Sequence, residues 1–290
     1  MIAWYYLVII SSIFMGASTL LEKKTLKKEH AAAYSSAVMI VVLPLTLLLL
    51  PLAKFNINFY ELLIIYVISV LSTITYVLTA RVFRHGNISI ASPLFSSLPV
   101  VFTVLFAFLF LDEKLSTIQY VSVAALVVAS YFMIFGTGNN VQKGYGKNKY
   151  VTILLFDTIL MAIGAIFLKY LFILGVNVFG YFIIDEYFMA FNILALMILR
   201  YGGMNEVIQN IKRYKLPIFS IAVLTIAYRV TNYLAISYAY VSLTSPLRNS
   251  INVLITVLIG GIMFGERNLK RKLLLSALIV VAAYTLISFN

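Results

Sequence analysis

The chain has 290 residues, of which 62% are hydrophobic and 11% are charged, and it carries a net charge of +12. Because a soluble domain carries about 25% charged residues, this composition predicts an integral membrane protein, which we expect in the cell membrane. The basic residues are spread over many short loops rather than along one face, which argues against a nucleic-acid partner.

Apolar stretches of about 20 residues, the length that crosses a bilayer, follow one another along the whole chain. They predict ten helices, at about 3–21, 31–50, 60–82, 88–114, 117–135, 150–168, 179–199, 216–239, 241–267 and 273–289. A polar, Gly-rich segment at 136–149 separates the first five from the last five. We therefore expect a five-helix repeat at 1–135, a linker at 136–149 and a second five-helix repeat at 150–290.

Predicted helices 4 and 9 are similar in sequence. The segment ISIASPLFSSLPVVFTVLFAFLFLDEK aligns with VSLTSPLRNSINVLITVLIGGIMFGER at a constant shift of 153 residues. Pro93 then meets Pro246, where each proline is expected to bend its helix, and Glu113 meets Glu266. We expect each glutamate to cap the helix that follows it. A repeated spanning helix is typical of secondary transporters built from two halves.

The number of helices in each half sets the orientation of the second half. Five is an odd number, so the second half must be inverted relative to the first. Most of the 22 Lys and Arg follow odd-numbered predicted helices, whereas Lys54, Lys114 and Lys169 follow even-numbered ones. By the positive-inside rule, both termini would face outward. The sequence therefore predicts an all-α membrane protein of ten transmembrane helices in two inverted five-helix repeats.

Each half carries Ser-Pro-Leu, a long apolar run and an acidic turn, LDEK in the first half and FGER in the second. These features resemble the EamA-type family of the drug/metabolite transporter superfamily, over essentially the whole chain. The resemblance implies a central cavity lined mainly by predicted helices 1, 3, 4, 6, 8 and 9. It also implies small metabolites as solutes, often amino acids that are moved outward, and cytoplasmic termini, which is the reverse of the orientation that the charges indicate.

Several charged residues fall inside predicted helices. Arg229 lies near the middle of helix 8, where a charge costs at least about 2.5–3.5 kcal/mol, so it either binds solute or pairs with an acid. Arg248 lies two turns into helix 9 and either binds solute or snorkels to the interface. Asp157 could pair with an arginine or accept a proton. We interpret Asp185 and Glu186, in the first turns of helix 7, as partners of the helix dipole.

Polar residues form stripes on the faces of predicted helices 4, 8 and 9, where they either line a cavity or permit close helix packing. Tyr76 occupies the place in helix 3 that Arg229 occupies in helix 8. The candidate substrate-binding residues are therefore Arg229, Arg248, Asn232, Asn249, Asn252, Tyr228, Tyr76, Ser92 and Ser96.

The function predicted from these residues is a secondary transporter that moves a small polar metabolite by alternating access. An amino acid or related carboxylate-bearing solute fits best, and Asp157 offers a route to proton coupling. The alternatives are an organic-phosphate or nucleotide-sugar carrier, or a non-transporting scaffold or channel. The chain contains no cysteine and no motif for catalysis, so we expect no enzyme activity, metal site or cofactor. The expected partners are the small-molecule substrate and the lipid bilayer.

Overall fold

The computed structural model describes residues 3–26, 31–85, 88–135, 148–200, 204–263 and 269–288, in which no strand occurs. A 3-10 helix, Leu47–Leu52, follows the second α-helix. The α-helices of the described residues, in chain order, are α1 (Trp4–Leu26), α2 (Ala31–Thr46), α3 (Phe59–His85), α4 (Ile88–Leu111), α5 (Thr117–Phe135), α6 (Asn148–Ile173), α7 (Val178–Arg200), α8 (Asn205–Arg213), α9 (Lys215–Tyr238), α10 (Val241–Met263) and α11 (Leu269–Ser288).

These helices confirm the all-α membrane architecture. The described parts of α1, α2 with its 3-10 extension, α3, α6, α7 and α9 are each long and apolar enough to cross a bilayer. Shorter apolar stretches lie in α4, α5 and α11, and α10 has 23 residues. Large apolar side chains such as Phe59 and Leu199 are more than four-fifths exposed, at 81% and 86%, as expected of surfaces that face lipid.

The helix boundaries differ from the predicted ones at several places, of which four matter here. The first helix continues through Glu22 to Leu26 because the run EKKTL consists mainly of strong helix formers. The helix α6 likewise continues past Lys169 to Ile173, so neither Glu22 nor Lys169 is a loop residue. The second helix changes to 3-10 geometry near Pro51, which has no N–H to donate along an α-helix. The segment predicted as a polar loop after the seventh helix contains α8, a short amphipathic helix.

Contacts between the helices follow a two-fold pattern. The α1–α9 contact has its counterpart in α3–α6, and the α1–α10 contact has its counterpart in α4–α6. The α3–α7 contact is likewise mirrored by α2–α9, while the α4–α10, α5–α11 and α2–α7 contacts map onto themselves. Two similar five-helix halves related by an approximate two-fold axis produce this pattern. Residues 136–147 of the expected linker lie outside the described residues.

Two glycines at similar places in the two halves have different surroundings. A Cβ atom on Gly16 would lie 2.7 Å from Cγ2 of Ile255, so α1 and α10 approach each other where glycine fits best. A Cβ atom on Gly164 would meet nothing within 4 Å, because this residue borders a cavity. The two halves are therefore similar in fold but not in packing.

The corner between α9 and α10 is held by charged residues of both halves. Glu113 accepts hydrogen bonds from the backbone N–H groups of Val241 and Ser242, at 3.0 and 2.9 Å, and from the Ser242 hydroxyl. Lys169 donates through Nζ to the carbonyl oxygens of Ile236 and Ala239, both at 2.8 Å. A carboxylate thus caps the start of α10 and an ammonium caps the end of α9.

The prediction that Glu113 caps the helix that follows it is wrong. The start of α5 is instead satisfied by Ser116 and Gln119, since the Ser116 N–H donates to Gln119 Oε1 at 2.9 Å and the Gln119 N–H donates to Ser116 Oγ at 3.3 Å. Because Ser116 and Gln119 already cap α5, the Glu113 carboxylate can cap α10 instead. Glu266, the repeat counterpart of Glu113, lies outside the described residues.

Replacing Glu113 by Gln should lower the free energy of unfolding by about 1–2 kcal/mol, because one of the two acceptor oxygens becomes a donor that faces an N–H group. Thermal unfolding of the purified protein in detergent measures this loss. Glu61→Gln is the matched control, since Glu61 caps α3 at an exposed position through a 2.9 Å bond from the Asn58 N–H. Equal unfolding temperatures for the two variants would contradict the role of Glu113.

Candidate functional site

A cavity of about 250 Å³ lies between the two halves, where α1, α3, α6, α9 and α10 meet. The side that α6 contributes is apolar, with Leu160, Met161 and Leu168 among its residues. The remaining helices contribute the polar lining, which comprises Ser18, Thr19, Glu22, Ser72, Thr75, Tyr76, Thr79, Tyr228, Arg229, Asn232, Tyr233, Ser245, Arg248 and Asn252. Tyr181 of α7 also borders it. The cavity is therefore apolar on one side and polar on the others.

Most of the predicted substrate-binding residues meet at this cavity: Arg229, Arg248, Asn232, Asn252, Tyr228 and Tyr76 all line it. Asn249 lies beside it, buried, with its Oδ1 accepting a hydrogen bond from Arg248 Nε at 3.2 Å. The side chains of Ser92, Ser96 and Pro93 lie outside the described residues, in which the side chains of α4 begin at Pro99. Helical geometry continues through Pro246.

The guanidinium of Arg229 forms an ion pair with Glu186. Nη1 of Arg229 donates to Oε1 of Glu186, and Nη1 also lies 3.5 Å from the sulfur of Met189. The side chain of Glu186 is completely buried and that of Arg229 is 11% exposed. Arg229 therefore borders the cavity while its charge is compensated from α7, behind the cavity wall.

The position of Glu186 in this pair corrects the interpretation of Asp185 and Glu186 as partners of the helix dipole. Glu186 and its neighbour Asp185 lie more than a full turn beyond the start of α7 at Val178, and both are fully buried, so neither acts on the helix dipole. Of the two alternatives for Asp157, an ion pair with an arginine does not occur among the described residues; its Oδ2 accepts a hydrogen bond from the Thr79 hydroxyl at 3.1 Å. No partner of its Oδ1 occurs among the described residues.

Arg248 differs from Arg229 in its surroundings. Its Nε is held by Asn249, which orients the guanidinium, and it has no carboxylate partner among the described residues. Tyr228 and Tyr233 lie within electrostatic range of it. Although both arginines border one cavity, Arg248 alone of these two has a charge that no acidic residue in the described chain compensates.

Glu22 is a cavity residue that sequence reasoning missed. Its position within the basic run EKKTLKKEH predicts a loop, whereas α1 carries it to the cavity wall. The Ser18 hydroxyl, one turn earlier, lies 3.5 Å from Glu22 Oε1, and Arg229 is within electrostatic range. The signal that could have revealed it is helical spacing, because Ser18 and Glu22 share a face with Met15, which also lines the cavity.

Comparison with known proteins agrees with this architecture. Residues 2–135 match the model of the EamA-like transporter family. The first half of the chain is therefore similar to the EamA-like transporter family of the drug/metabolite transporter superfamily. Together with the six described helices that are long and apolar enough to cross a membrane, this match supports a multi-pass membrane protein of the transporter type.

Similarity to a known fold extends beyond the residues that match the family model. A solved crystal structure, described only as that of a protein, is 11% identical with a TM-score of 0.72, covering 97% of this chain and 95% of that chain. At that identity the likeness shows the fold alone, and it does so for both halves. No curated protein matches the chain in sequence.

Replacing Arg229 by Leu should cost about 3–5 kcal/mol of stability, because Glu186 then remains buried without its cation. The double variant Arg229→Leu/Glu186→Leu should regain most of this loss, as a double-mutant cycle of thermal unfolding would show.

The exposed pair formed by Lys114 and Asp112 provides the control for this cycle. Its nitrogen–oxygen distance is 3.0 Å and the two side chains are 71% and 80% exposed, so the same cycle should give a coupling energy near zero. If the stability losses of Arg229→Leu and Glu186→Leu simply add in the double variant, the ion pair is not the interaction that holds α9 to α7.

Proposed function

We propose that this protein is a secondary transporter that carries a small carboxylate-bearing solute, with an amino acid as the best fit, across the membrane by alternating access. The match of residues 2–135 to a transporter family supports transport, and the site supports the choice of solute. The observation that carries this choice is Arg248, whose guanidinium lines the cavity between the two halves with no carboxylate partner in the described chain.

A guanidinium in the bilayer interior requires a compensating charge or water. Asn249 occupies Nε, which leaves the terminal nitrogens for a solute. Two parallel N–H groups match the two oxygens of a carboxylate, and such bidentate pairs are stronger and more selective than a contact with a lysine ammonium. Arg248 is therefore the primary anchor of the proposed site, and Arg229, already paired with Glu186, adds positive potential.

The opposite charge of a zwitterionic solute also finds a partner. Glu22 lines the same cavity on α1 and offers a carboxylate to an ammonium group. Two further polar groups of the lining, the Tyr76 hydroxyl and Asn232 Oδ1, are buried without a hydrogen-bond partner in the described residues. Buried polar groups are normally satisfied, so these two fit direct contacts with a polar solute. The apolar wall contributed by α6 faces the rest of the solute.

An organic phosphate or nucleotide sugar fits the cavity less well. A phosphate dianion would require more uncompensated positive charge than Arg248 supplies, given that Arg229 is tied to Glu186. A scaffold would not need a cavity with charged and polar lining between two halves that pack against each other through several helix pairs, and a channel would show no saturable counterflow. The same interface offers the surface along which the halves would rock during alternating access.

Replacing Arg248 by Leu should reduce exchange by at least about tenfold, because the carboxylate loses its bidentate partner. The assay is counterflow of radiolabelled L-amino acids, added as a mixture, into proteoliposomes preloaded with the unlabelled mixture. Arg248→Lys should retain part of the activity with weaker affinity, since the charge remains and the fork geometry is lost.

Arg213→Leu is the matched control, because Arg213 lies on α8, away from the cavity. This variant removes one positive charge from the protein and should leave exchange unchanged. Exchange that survives in Arg248→Leu at the wild-type rate would contradict the assignment of the anchor. No saturable exchange in the wild type would contradict the amino-acid class and direct the test to phosphorylated metabolites.

A further inference from the structure

Behind the cavity wall, α7 presents two successive carboxyl groups that sequence reasoning did not assign to the site. Asp185 and Glu186 are both 0% exposed. Arg229 donates to one oxygen of Glu186. The other oxygen of Glu186 and both oxygens of Asp185 have no hydrogen-bond partner in the described residues. Three buried acceptor oxygens without donors are unusual in a folded protein, and they need an explanation.

The charge balance of this cluster supplies one. If both carboxyl groups were ionised, the single guanidinium would leave a net negative charge buried in the bilayer interior. A buried ion without a partner costs far more than a neutral group, so such a site takes up a proton. The proton converts an unsatisfied acceptor into an O–H donor that can serve the neighbouring oxygens. Because the two groups share one guanidinium, the proton belongs to the pair rather than to either residue.

The described surroundings offer no second cation. The titratable side chains that interact with the pair, among those described, are Tyr181 on α7, Arg229 and Tyr233 on α9 and Tyr76 on α3, and Glu22 on α1 interacts with Arg229. Glu22 adds negative charge beside Arg229 and so favours the protonated state of the pair, whereas Arg229 and the Tyr181 hydroxyl favour the ionised state. The pair therefore has one described cation for two carboxyl groups.

The pair communicates with the cavity through two residues. Arg229, which holds Glu186, borders the cavity, and so does Tyr181, which lies one helical turn before Asp185. A negative charge that enters the cavity beside Arg229 interacts with the same guanidinium and weakens the ion pair between Arg229 and Glu186. The pair then binds its proton more tightly.

We propose that Asp185 and Glu186 form a proton-binding carboxyl pair that couples solute binding in the cavity to protonation. This inference rests on the proposed transport function. By linkage, an anionic solute that strengthens proton binding to the pair is itself bound more tightly when the pair is protonated, by the same factor. Solute and proton therefore bind together and move in the same direction. Raising the pH should weaken solute binding, on the order of tenfold once the proton is lost.

Infrared spectroscopy of the solute-free protein in lipid tests whether the pair holds a proton. The wild type at pH 7 should show a carboxylic-acid carbonyl band that disappears as the pH is raised. Asp185→Asn, which mimics the protonated side chain in shape, should lose part of this band. Asp112→Asn is the matched control, because Asp112 is exposed and should not contribute. Asp157→Asn separates the contribution of the other buried acid.

Transport in proteoliposomes tests the coupling. With the radiolabelled L-amino-acid mixture, an inward proton gradient should drive accumulation in the wild type and in Asp112→Asn. Asp185→Asn should still exchange labelled for unlabelled amino acids, because exchange needs no net proton movement, but the gradient should no longer drive accumulation. Exchange that persists without gradient-driven accumulation is a result that a merely structural role would not produce.

The outcomes that overturn the proposal are distinct from those that overturn the proposed function. Equal responses of Asp185→Asn and the wild type to the gradient would overturn the coupling while leaving the transporter intact. An absence of exchange in the wild type would instead count against the amino-acid carrier, and the infrared result would still decide whether the pair holds a proton. If Asp185→Asn fails to insert into the membrane, the wild-type titration decides alone. A wild-type spectrum without the carboxylic-acid band at pH 7 would show that the pair holds no proton.

Discussion

The architecture depends on one constraint, which is that a charge buried among the helices must be compensated or used. Arg229 meets this constraint through Glu186, and the pair joins α9 to α7 within the second half. Lys169 meets it through two backbone carbonyl groups at the end of α9, and Glu113 meets it at the start of α10. Arg248 is the cavity arginine for which the described chain provides no acidic partner, and this exception is the basis of the proposed function.

The two halves share a fold but contribute different side chains to the cavity. Their contacts are related by an approximate two-fold axis, yet both cavity arginines belong to the second half. Tyr76 stands at the place that Arg229 occupies, and α6 lines its side of the cavity with apolar residues. The first half contributes Glu22 from α1. An oriented, charged solute fits such a cavity, because its carboxylate and its ammonium would find different partners on different helices.

The helices and most of the cavity residues could be predicted from the sequence, because both depend on local patterns. Apolar length predicts the spanning helices, and of the two alternatives for the polar stripe with Asn232, Arg229 and Tyr228, the structure has the one in which they line a cavity. The partners could not be predicted in the same way. Glu186 pairs with Arg229 across 43 positions of sequence and Glu113 caps a helix 128 positions away, and no local pattern encodes either choice.

Glu22 shows a different reason for failure. The lysines around Glu22 make the segment resemble a basic loop. The helix propensity of the same residues nevertheless extends α1 far enough to place Glu22 at the cavity. The charge pattern predicts a loop because basic residues gather at the ends of membrane helices. Helical spacing from the cavity-lining Met15 is the better guide at this position.

The chain contains no cysteine, so single cysteines can report access to the cavity directly. The measurement that tests the central claim is labelling of Ser245→Cys, which lines the cavity, by a membrane-impermeant thiol reagent applied to either side of vesicles, with Val280→Cys on the lipid-facing surface of α11 as the control. A carrier with alternating access predicts labelling from both sides, slowed by a saturating mixture of amino acids. Labelling from one side alone, or at a rate that amino acids do not change, would contradict it.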